Sequence, residues 1–434
     1  MLFLRRSAGP LLLLSFALTV VNAFLPLPVN EVIGWVTWLA GLILFFELGS
    51  KQKKIILIIS LFASISWFVA WQTGDTRHFL DALSANQLMI VMLIGVQFLQ
   101  LVALPKIEAS APLPKGKKAF IRTYLGVHFF GSVINLSAVM LVADRLVKER
   151  ALSMNQQKLL TRAFTSAANW SPFFAAFAAA LVFTPDASLP IVISLGLMMA
   201  GLAFVVTMLD VSRHQDGELL EDFVGYPIHF GTLWLPALLV LMVFFSQHAF
   251  PNIKVLALIA TCAILISVVV LIAREGLRDA SVDFQQHVLN KLPQMKNELL
   301  LFLIAGVLGS GLAAAFDGLS IAIPFQHFDG VVASVILLCM FSFAVLGVHP
   351  VISIAVVGHW IMPIAPDQTL LAIMFLMSWA LGVSTSPISG INLALHGRYG
   401  VSGGAIFRWN LPYGIKMYIA GCVILMLVSQ LLGL

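Results

Sequence analysis

The chain has 434 residues, of which 60% are hydrophobic and only 10% are charged, and its mean hydropathy is +0.98. Since so few polar side chains cannot cover a water-facing surface, the composition excludes a soluble protein and indicates an integral protein of the lipid bilayer. The formal charge of +5 does not require a nucleic-acid partner, because Lys and Arg in cytoplasmic loops produce such a balance. The three cysteines lie within apolar runs and are expected to be packed hydrophobic residues.

Apolar runs of about twenty residues, the length that crosses a bilayer, follow one another along the chain. The first resembles a signal peptide ending at Val21-Asn22-Ala23, but it continues through Phe24 and Leu25, so we expect an uncleaved first helix. About eleven runs are long enough, at roughly 10–28, 31–49, 54–73, 86–104, 158–184, 188–209, 230–249, 254–273, 298–316, 369–396 and 410–432. The predicted fold class is an all-α polytopic membrane protein.

Two further apolar stretches, 119–143 and 331–363, do not have the pattern of simple crossings. The first contains His128 and several small polar residues, and the second is too long for one crossing and is broken by Pro350. We predict that both are re-entrant hairpins, which return to the side from which they entered. If both return, the basic clusters lie in cytoplasmic loops and the opposite loops contain only Arg77, as the positive-inside rule requires.

Three sequence matches relate the two halves of the chain. They pair the stretches that start at Asn86 and Asn297, the triplets Gly126-Val127-His128 and Gly347-Val348-His349, and the pairs Ser171-Pro172 and Ser386-Pro387, at offsets of 211, 221 and 215 residues. Five predicted crossings, an odd number, separate the copies of the first match. We therefore predict an inverted-topology repeat, the arrangement of many secondary transporters.

These matches predict the organisation of the chain. N-terminal helices occupy 1–53, the first repeat 54–209, a polar linker 210–229 and the second repeat 230–434. The charge pattern predicts a cytoplasmic N-terminus and a C-terminus on the outside, and we expect a bacterial inner membrane.

Each repeat contains a crossing that we predict to be a broken helix, at 158–184 and 369–396. Both combine a proline, which removes a backbone hydrogen bond, with hydroxyl and amide side chains. A half-helix that starts in the membrane points its positive end at the midplane and favours an anion, while freed carbonyls suit Na⁺. The candidate substrate ligands in these breaks are Asn169, Ser171, Ser384, Thr385, Ser386, Ser389 and Asn392, and the candidate Na⁺ region lies near Ser166, Asn169, Gly382 and Thr385.

The second repeat resembles the ion transporter superfamily, especially the large membrane subunit of TRAP-type dicarboxylate transporters. The resemblance covers about ninety residues, and Ser386 stands where the family pattern has a first proline. It depends on Gly382, Thr385, Ser386-Pro387, Gly390, Asn392-Leu393, Gly400-Val401-Ser402 and Leu411-Pro412. The Ser-Asn-Thr hairpin motif of related divalent-anion/Na⁺ symporters is absent.

The resemblance implies an elevator transporter, in which hairpins and broken helices carry a small anion past a scaffold that forms a homodimer. The implied substrates are carboxylates, other organic acids or inorganic anions, moved with Na⁺ or H⁺ and without a bound cofactor. The hairpins would add His128, Ser132, Asn135, His349 and Ser353 to the site. We expect no Arg or Lys in the core, so that hydroxyls, amides and helix ends would bind the anion.

Two alternatives stay open. A histidine near neutral pH can carry a proton, so His128 and His349 are candidates for proton coupling or for substrate contact. The chain could instead be a TRAP-like membrane subunit that needs a separate substrate-binding protein. A polytopic enzyme acting on a lipid-linked substrate is the rival from another class, but the sequence has no HExxH motif, paired carboxylates or phosphate-binding loop, and we expect no enzymatic activity.

Overall fold

The structure, a computed structural model, describes residues 2–74, 79–103, 112–212, 219–226, 234–320 and 323–434. Across these ranges the regular secondary structure is helical, apart from one isolated antiparallel bridge between Lys115 and Val224. Six helical stretches in the described part are long and apolar enough to cross a membrane: Arg5–Phe24, Ser50–Thr73, Leu189–Ser212, Val255–Gly318, Gln368–Tyr399 and Gly403–Leu432. The all-α membrane class is confirmed, whereas the count of eleven crossings stays a prediction.

The first half of the chain forms ten helices. Their bounds are α1 Leu2–Phe24, α2 Asn30–Phe45, α3 Ser50–Thr73, α4 Gln87–Phe98, α5 Gln100–Ala103, α6 Lys117–Ile134, α7 Leu136–Val147, α8 Met154–Ser166, α9 Ala175–Phe183 and α10 Leu189–Ser212. A 3-10 turn, Ala167–Asn169, continues α8. Ser153 starts α8 with a capping box, because its hydroxyl accepts from the Gln156 backbone N–H while the Gln156 side chain accepts from the Ser153 backbone N–H.

The second half forms eight helices. Their bounds are α11 Trp234–Ala249, α12 Val255–Gln286, α13 Lys296–Gly318, α14 Gly330–Val345, α15 Pro350–Ile361, α16 Gln368–Thr385, α17 Gly390–Tyr399 and α18 Gly403–Leu432. Asp329, Asp367 and Ser402 start three of them, each accepting a hydrogen bond from a backbone N–H of the first turn.

The helix starts repeat between the halves at a nearly constant offset. The starts of α7 and α15, of α8 and α16, and of α10 and α18 are each 214 residues apart (for example, 350 − 136 = 214). The starts of α6 and α14 differ by 213, and those of α9 and α17 by 215. The order of these five helices is therefore duplicated over residues that show little sequence identity.

This spacing corrects one of the three sequence matches. Gly126 to His128 lie inside α6, whereas Gly347 to His349 form the joint between α14 and α15. Their offset of 221 differs from the structural offset by about two helical turns. The shared triplet is therefore not part of the repeat, and the Asn135 joint between α6 and α7 is the structural counterpart of Gly347 to His349.

Both predicted hairpin stretches contain two helices with a joint. In 119–143 the joint is Asn135, whose φ of 53° is left-handed, and in 331–363 it includes Gly347, whose φ is 101°. A positive φ suits glycine at Gly347, whereas Asn135 combines it with a ψ of −141°, outside the left-handed helical region that asparagine tolerates, so the backbone at this joint is strained. The return of each helix pair to the side of the bilayer from which it entered stays a prediction.

The helices pack as two groups. In the first, α1–α4 with α11–α13, Gly311 packs on Ser66 and Gly318 on Thr73, so α3 and α13 run in the same direction. In the same group α4 runs along α12. The second group contains α6–α10 and α14–α18, and α15 joins it to α13.

The predicted polar linker 210–229 is wrong at its start, because Asp210 belongs to the last turn of α10. Residues 219–226 pack against the second group: the Gln156 side chain donates to the Val224 carbonyl, and Tyr226 N–H donates to the Thr123 hydroxyl. The predicted linker's remaining residues, 213–218 and 227–229, lie outside the described residues.

Candidate functional site

The first break separates the 3-10 turn at Ala167–Asn169 from α9. Pro172 has no N–H to donate, and the chain leaves the helix beside it. The Ser171 hydroxyl donates to the Ser132 carbonyl over 2.6 Å and accepts from Phe173 N–H over 3.2 Å. The predicted interruption is confirmed, and Ser171 holds it against α6.

Asn169 lies in the turn that precedes this break and is 4% exposed. Its amide nitrogen donates to the Ser166 carbonyl over 3.1 Å. Its side-chain oxygen has no hydrogen-bond partner among the residues that the structure describes. An unpaired buried oxygen is uncommon in folded proteins, so this atom is a candidate ligand group.

His128 supports the first break from α6. Trp170 donates its indole N–H to Nε2 of His128 over 3.0 Å, so that nitrogen must be an acceptor. Nδ1 lies 3.0 Å from both the Ala163 carbonyl and the Ser166 hydroxyl. His128 is therefore neutral with its proton on Nδ1, and neither ring nitrogen is left for a substrate or a second proton.

The second break lies between α16 and α17, at residues 386–389. Ser386 N–H closes α16 on the Gly382 carbonyl, and the Asn392 amide reaches back to the Ser386 carbonyl over 2.8 Å. The Asn392 side-chain oxygen and the Ser389 hydroxyl are buried and find no partner within the described ranges. This interruption too is confirmed, and it presents two unpaired oxygens.

The other predicted ligands of this break bind their own helix. The Ser384 and Thr385 hydroxyls both donate to the Leu381 carbonyl, over 2.9 and 2.7 Å. Such back-bonding is common for hydroxyl residues in helices and needs no ligand. Ser389 and Asn392 are therefore better candidates than Ser384 and Thr385 in this conformation.

The two breaks meet at one level of the second group. Residues 167–169 and α9 both pack against α16. The end of α9 lies at the start of α16, because Asp186 and Ser188, just after α9, donate their backbone N–H groups to the Gln368 and Thr369 side chains. Since α9 and α16 run antiparallel, their interrupted ends come to the same depth.

The joints of both helix pairs lie beside the breaks. Ser132 near the Asn135 joint accepts from Ser171, and a Cβ added to Gly347 would lie 2.6 Å from Ile388. His349 starts α15 by accepting from Val351 N–H, and its ring meets the edge of Trp379 at 5.2 Å. Ser353 is buried farther along α15.

Sequence reasoning missed a charged cluster, and the expectation of no Arg or Lys in the core is wrong. Arg162 in α8 is 0% exposed. Its guanidinium donates to Asp210 over 3.0 Å, to the Asn410 side chain over 2.9 Å and to the Trp409 carbonyl over 2.9 Å. It also lies over the Tyr413 ring, 4.5 Å from its centre.

This cluster reaches the second break through Asn410. The Asn410 amide nitrogen donates to the Ser384 carbonyl over 2.9 Å and to the Thr161 hydroxyl over 3.3 Å. The other Asp210 oxygen accepts from Lys416 over 2.5 Å. A signal was present in the sequence, since Arg162 stands only four residues before Ser166 in an apolar run, but its partners lie 48 and 248 residues away.

The backbone carbonyl at one equivalent position has different neighbours in the two repeats. Asn169 and Ser384 occupy corresponding positions, 215 residues apart, as do Gly196 and Asn410, 214 apart. In the second repeat Asn410 donates to the Ser384 carbonyl. In the first, the bare Cα of Gly196 packs directly on the Asn169 carbonyl, and an added Cβ would lie 2.1 Å from that oxygen.

With this geometry described, known proteins were compared with the chain. No protein-family profile matches it. No curated protein sequence matches it either. Among solved structures, it is similar to the YdaH transporter of Alcanivorax borkumensis, described as having an unusual topology, with 13% identity, a TM-score of 0.42, and coverage of 86% of this chain and 84% of that chain.

Proposed function

We propose that the protein is a secondary active transporter of a small anion, foremost an organic acid with a carboxylate group, coupled to Na⁺ by an elevator mechanism. The observation that carries the proposal is the pair of interrupted helices that meet in the interior. Each break contributes a buried amide oxygen, on Asn169 and Asn392, that lacks a partner in the described part of the chain. Leaving a buried polar group unpaired costs about 1–3 kcal/mol, and because an amide oxygen only accepts, a bound cation such as Na⁺ would recover this cost while the anion binds the first N–H groups of α17.

The inverted repeat is supported by helix direction. Phe79, after α3, packs on Trp67, whose indole donates to the Val307 carbonyl. Asn86 then donates to the Phe302 carbonyl, five residues nearer the start of α13. Residues 79–86, which lead into α4, thus run back along α13, as expected if α4 and α13 are the antiparallel counterparts of an inverted repeat.

The elevator mechanism is supported by the division into two helix groups. Both breaks and both joints belong to the second group, α6–α10 with α14–α18, so this group could move as one body with its cargo if α15 slides along α13, its main contact in the first group. The first group would be the scaffold and, as the family resemblance implies, would form the homodimer. We also propose that the protein lies in a bacterial inner membrane with its N-terminus in the cytoplasm.

The chemistry of the breaks favours an anion and Na⁺ together. The first N–H groups of α17 have no acceptor within that helix, and its positive end favours negative charge. Amide and hydroxyl oxygens such as those of Asn392 and Ser389 suit a hard cation. His128 does not support proton coupling, because Trp170 holds Nε2 as an acceptor.

Uptake into proteoliposomes tests the function directly. The purified chain alone should exchange at least one of labelled succinate, citrate, lactate, sulfate and phosphate in counterflow, and an inward Na⁺ gradient should accelerate net uptake. Thermal unfolding with the same five anions should show a raised apparent Tm for the transported one, since a ligand of the native state stabilises it. Uptake of none of the five would refute the proposal.

Two variants locate the site. Asn392→Ala should abolish most uptake while leaving the protein folded. Ser378→Ala is the matched control, because Ser378 is equally buried in α16 and its hydroxyl donates only to the Phe375 carbonyl. Equal uptake by the two variants would remove the second break from the site. A TRAP-like subunit would show uptake only after its binding protein is added.

A further inference from the structure

The buried cluster around Arg162 connects the two breaks, because Arg162 belongs to α8, which leads into the first break, and its side chain binds Asn410, which donates to the Ser384 carbonyl at the second. Its three ionic members come from three helices: Arg162 from α8, Asp210 from α10 and Lys416 from α18. We propose that Arg162 is a positioning residue that gives the second break its preference for anions. This inference rests on the proposed transport function.

The charges of the cluster do not cancel. Asp210 alone would neutralise Arg162, but its second oxygen is bound by Lys416, so two cations share one carboxylate and the formal sum is +1. The Lys416 side chain is 43% exposed, whereas that of Arg162 is 1% exposed. The unscreened positive charge therefore lies on the Arg162 side, where a buried cation is costly and a nearby anion is favoured.

Asn410 directs this charge at the break. Arg162 can only donate, so it fixes the Asn410 oxygen toward itself and turns the amide nitrogen toward the Ser384 carbonyl. If the Asn410 amide were flipped, its NH₂ group would face the Nε–H of Arg162, and two donors would oppose each other. The positive ends of two successive dipoles thus point from Arg162 to the last turn of α16, beside Ser389 and Asn392.

The expected size of the effect follows from distance. Two hydrogen bonds and the width of an amide place the guanidinium roughly 8 Å from the Ser384 carbonyl. Unit charges that far apart, at an effective dielectric constant of about 20, attract by an amount that changes affinity about thirtyfold. The bound anion lies beyond this carbonyl, at up to about 15 Å from the guanidinium, so we expect a change of about fivefold to thirtyfold.

Removal of the charge tests the inference without leaving a buried carboxylate alone. In Arg162→Gln, Asp210 keeps Lys416 as its partner. This variant should raise the KM for succinate about fivefold to thirtyfold while the maximal rate stays within about threefold of wild type. Arg162→Lys, which keeps the charge, should restore the KM to within about threefold, and Lys416→Gln should change it about twofold or less.

A purely structural role gives different results. A residue that only fastens helices would lose its fork of hydrogen bonds in Arg162→Lys as well, and would lower the maximal rate rather than raise the KM. The charge effect should also be larger for doubly charged succinate than for singly charged lactate. A folded Arg162→Gln with the wild-type KM for both anions would overturn the inference.

A second variant covers the case in which Arg162→Gln does not fold. Asn410→Asp has the same shape, keeps an acceptor for Arg162 and places negative charge toward Ser384. It should raise the KM at least as much as Arg162→Gln does, and an unchanged KM would equally overturn the inference. If wild type transports none of the five anions, the proposed function fails and the inference falls with it. If wild type transports one and these variants match it, only the inference fails.

Discussion

Replacing Gly196 in α10 by alanine should damage the first break. An added Cβ would lie 2.1 Å from the Asn169 carbonyl oxygen and 2.8 Å from the Trp170 Cβ. Ordinary contacts begin near 3.4 Å, so α10 or the break must move by about 1.3 Å (3.4 − 2.1 = 1.3). These neighbours include the Asn169 backbone, which cannot rotate away, and overpacking of this kind costs about 3 kcal/mol.

Gly201 is the matched control, because it lies in the same helix and an added Cβ would meet nothing within 4 Å. Gly201→Ala should be neutral or stabilise the protein by up to about 1 kcal/mol, since alanine favours helix. Unfolding of both purified variants in mixed micelles, followed by tryptophan fluorescence, gives the two free energies of unfolding. Equal stability of Gly196→Ala and Gly201→Ala would refute the close approach of α10 to the break.

Three further outcomes follow from the breaks and joints. Trp170→Phe removes the donor to His128 Nε2 and leaves a buried nitrogen unpaired, so the free energy of unfolding should fall by about 1–3 kcal/mol; no fall would mean that the ring is not held as described. Gly347→Ala places a Cβ at a φ of 101° and 2.6 Å from a neighbouring side chain, so unfolding in micelles should become easier by at least about 1 kcal/mol, and an unchanged midpoint would contradict the joint. Asn392→Ala should weaken anion binding at least tenfold by thermal shift, while Ser378→Ala should leave it unchanged; the reverse order would contradict the site.

The interruptions were predictable because their cause is local. A proline deletes one N–H whatever surrounds it, and Ser171 and Ser386 supply hydroxyls beside the deleted donor. Within an apolar run, that combination predicts a break without knowledge of the neighbouring helices. The partners of each hydroxyl were not predictable, and Ser384 and Thr385 bind their own helix although they looked like ligands.

The charged cluster was not predictable because its energetics are nonlocal. Arg162 follows other basic residues near the start of a crossing, the usual place of a cytoplasmic charge. The cost of burying the guanidinium is offset by its hydrogen bonds to Asp210 in α10 and Asn410 in α18. A single sequence contains these residues but not their proximity.

Short stretches of identical sequence also gave a wrong correspondence between the two halves, whereas the helix starts gave a consistent one. The triplet at Gly126 matches that at Gly347 in every residue, yet the two occupy different places in their helix pairs. The structural repeat is set by where helices start, which depends on caps, glycines and prolines rather than on identical letters.

The difference between Gly196 and Asn410 limits which helices could be exchanged between the two halves. No side chain fits at Gly196. At the corresponding position of the second half, the Asn410 amide donates a hydrogen bond to the Ser384 carbonyl. A chain with two identical halves could have kept one of these solutions but not both. A chimaera that exchanged α10 and α18 would bring a side chain onto the Asn169 carbonyl and would take Asn410 away from Arg162, so both contacts would be lost at once.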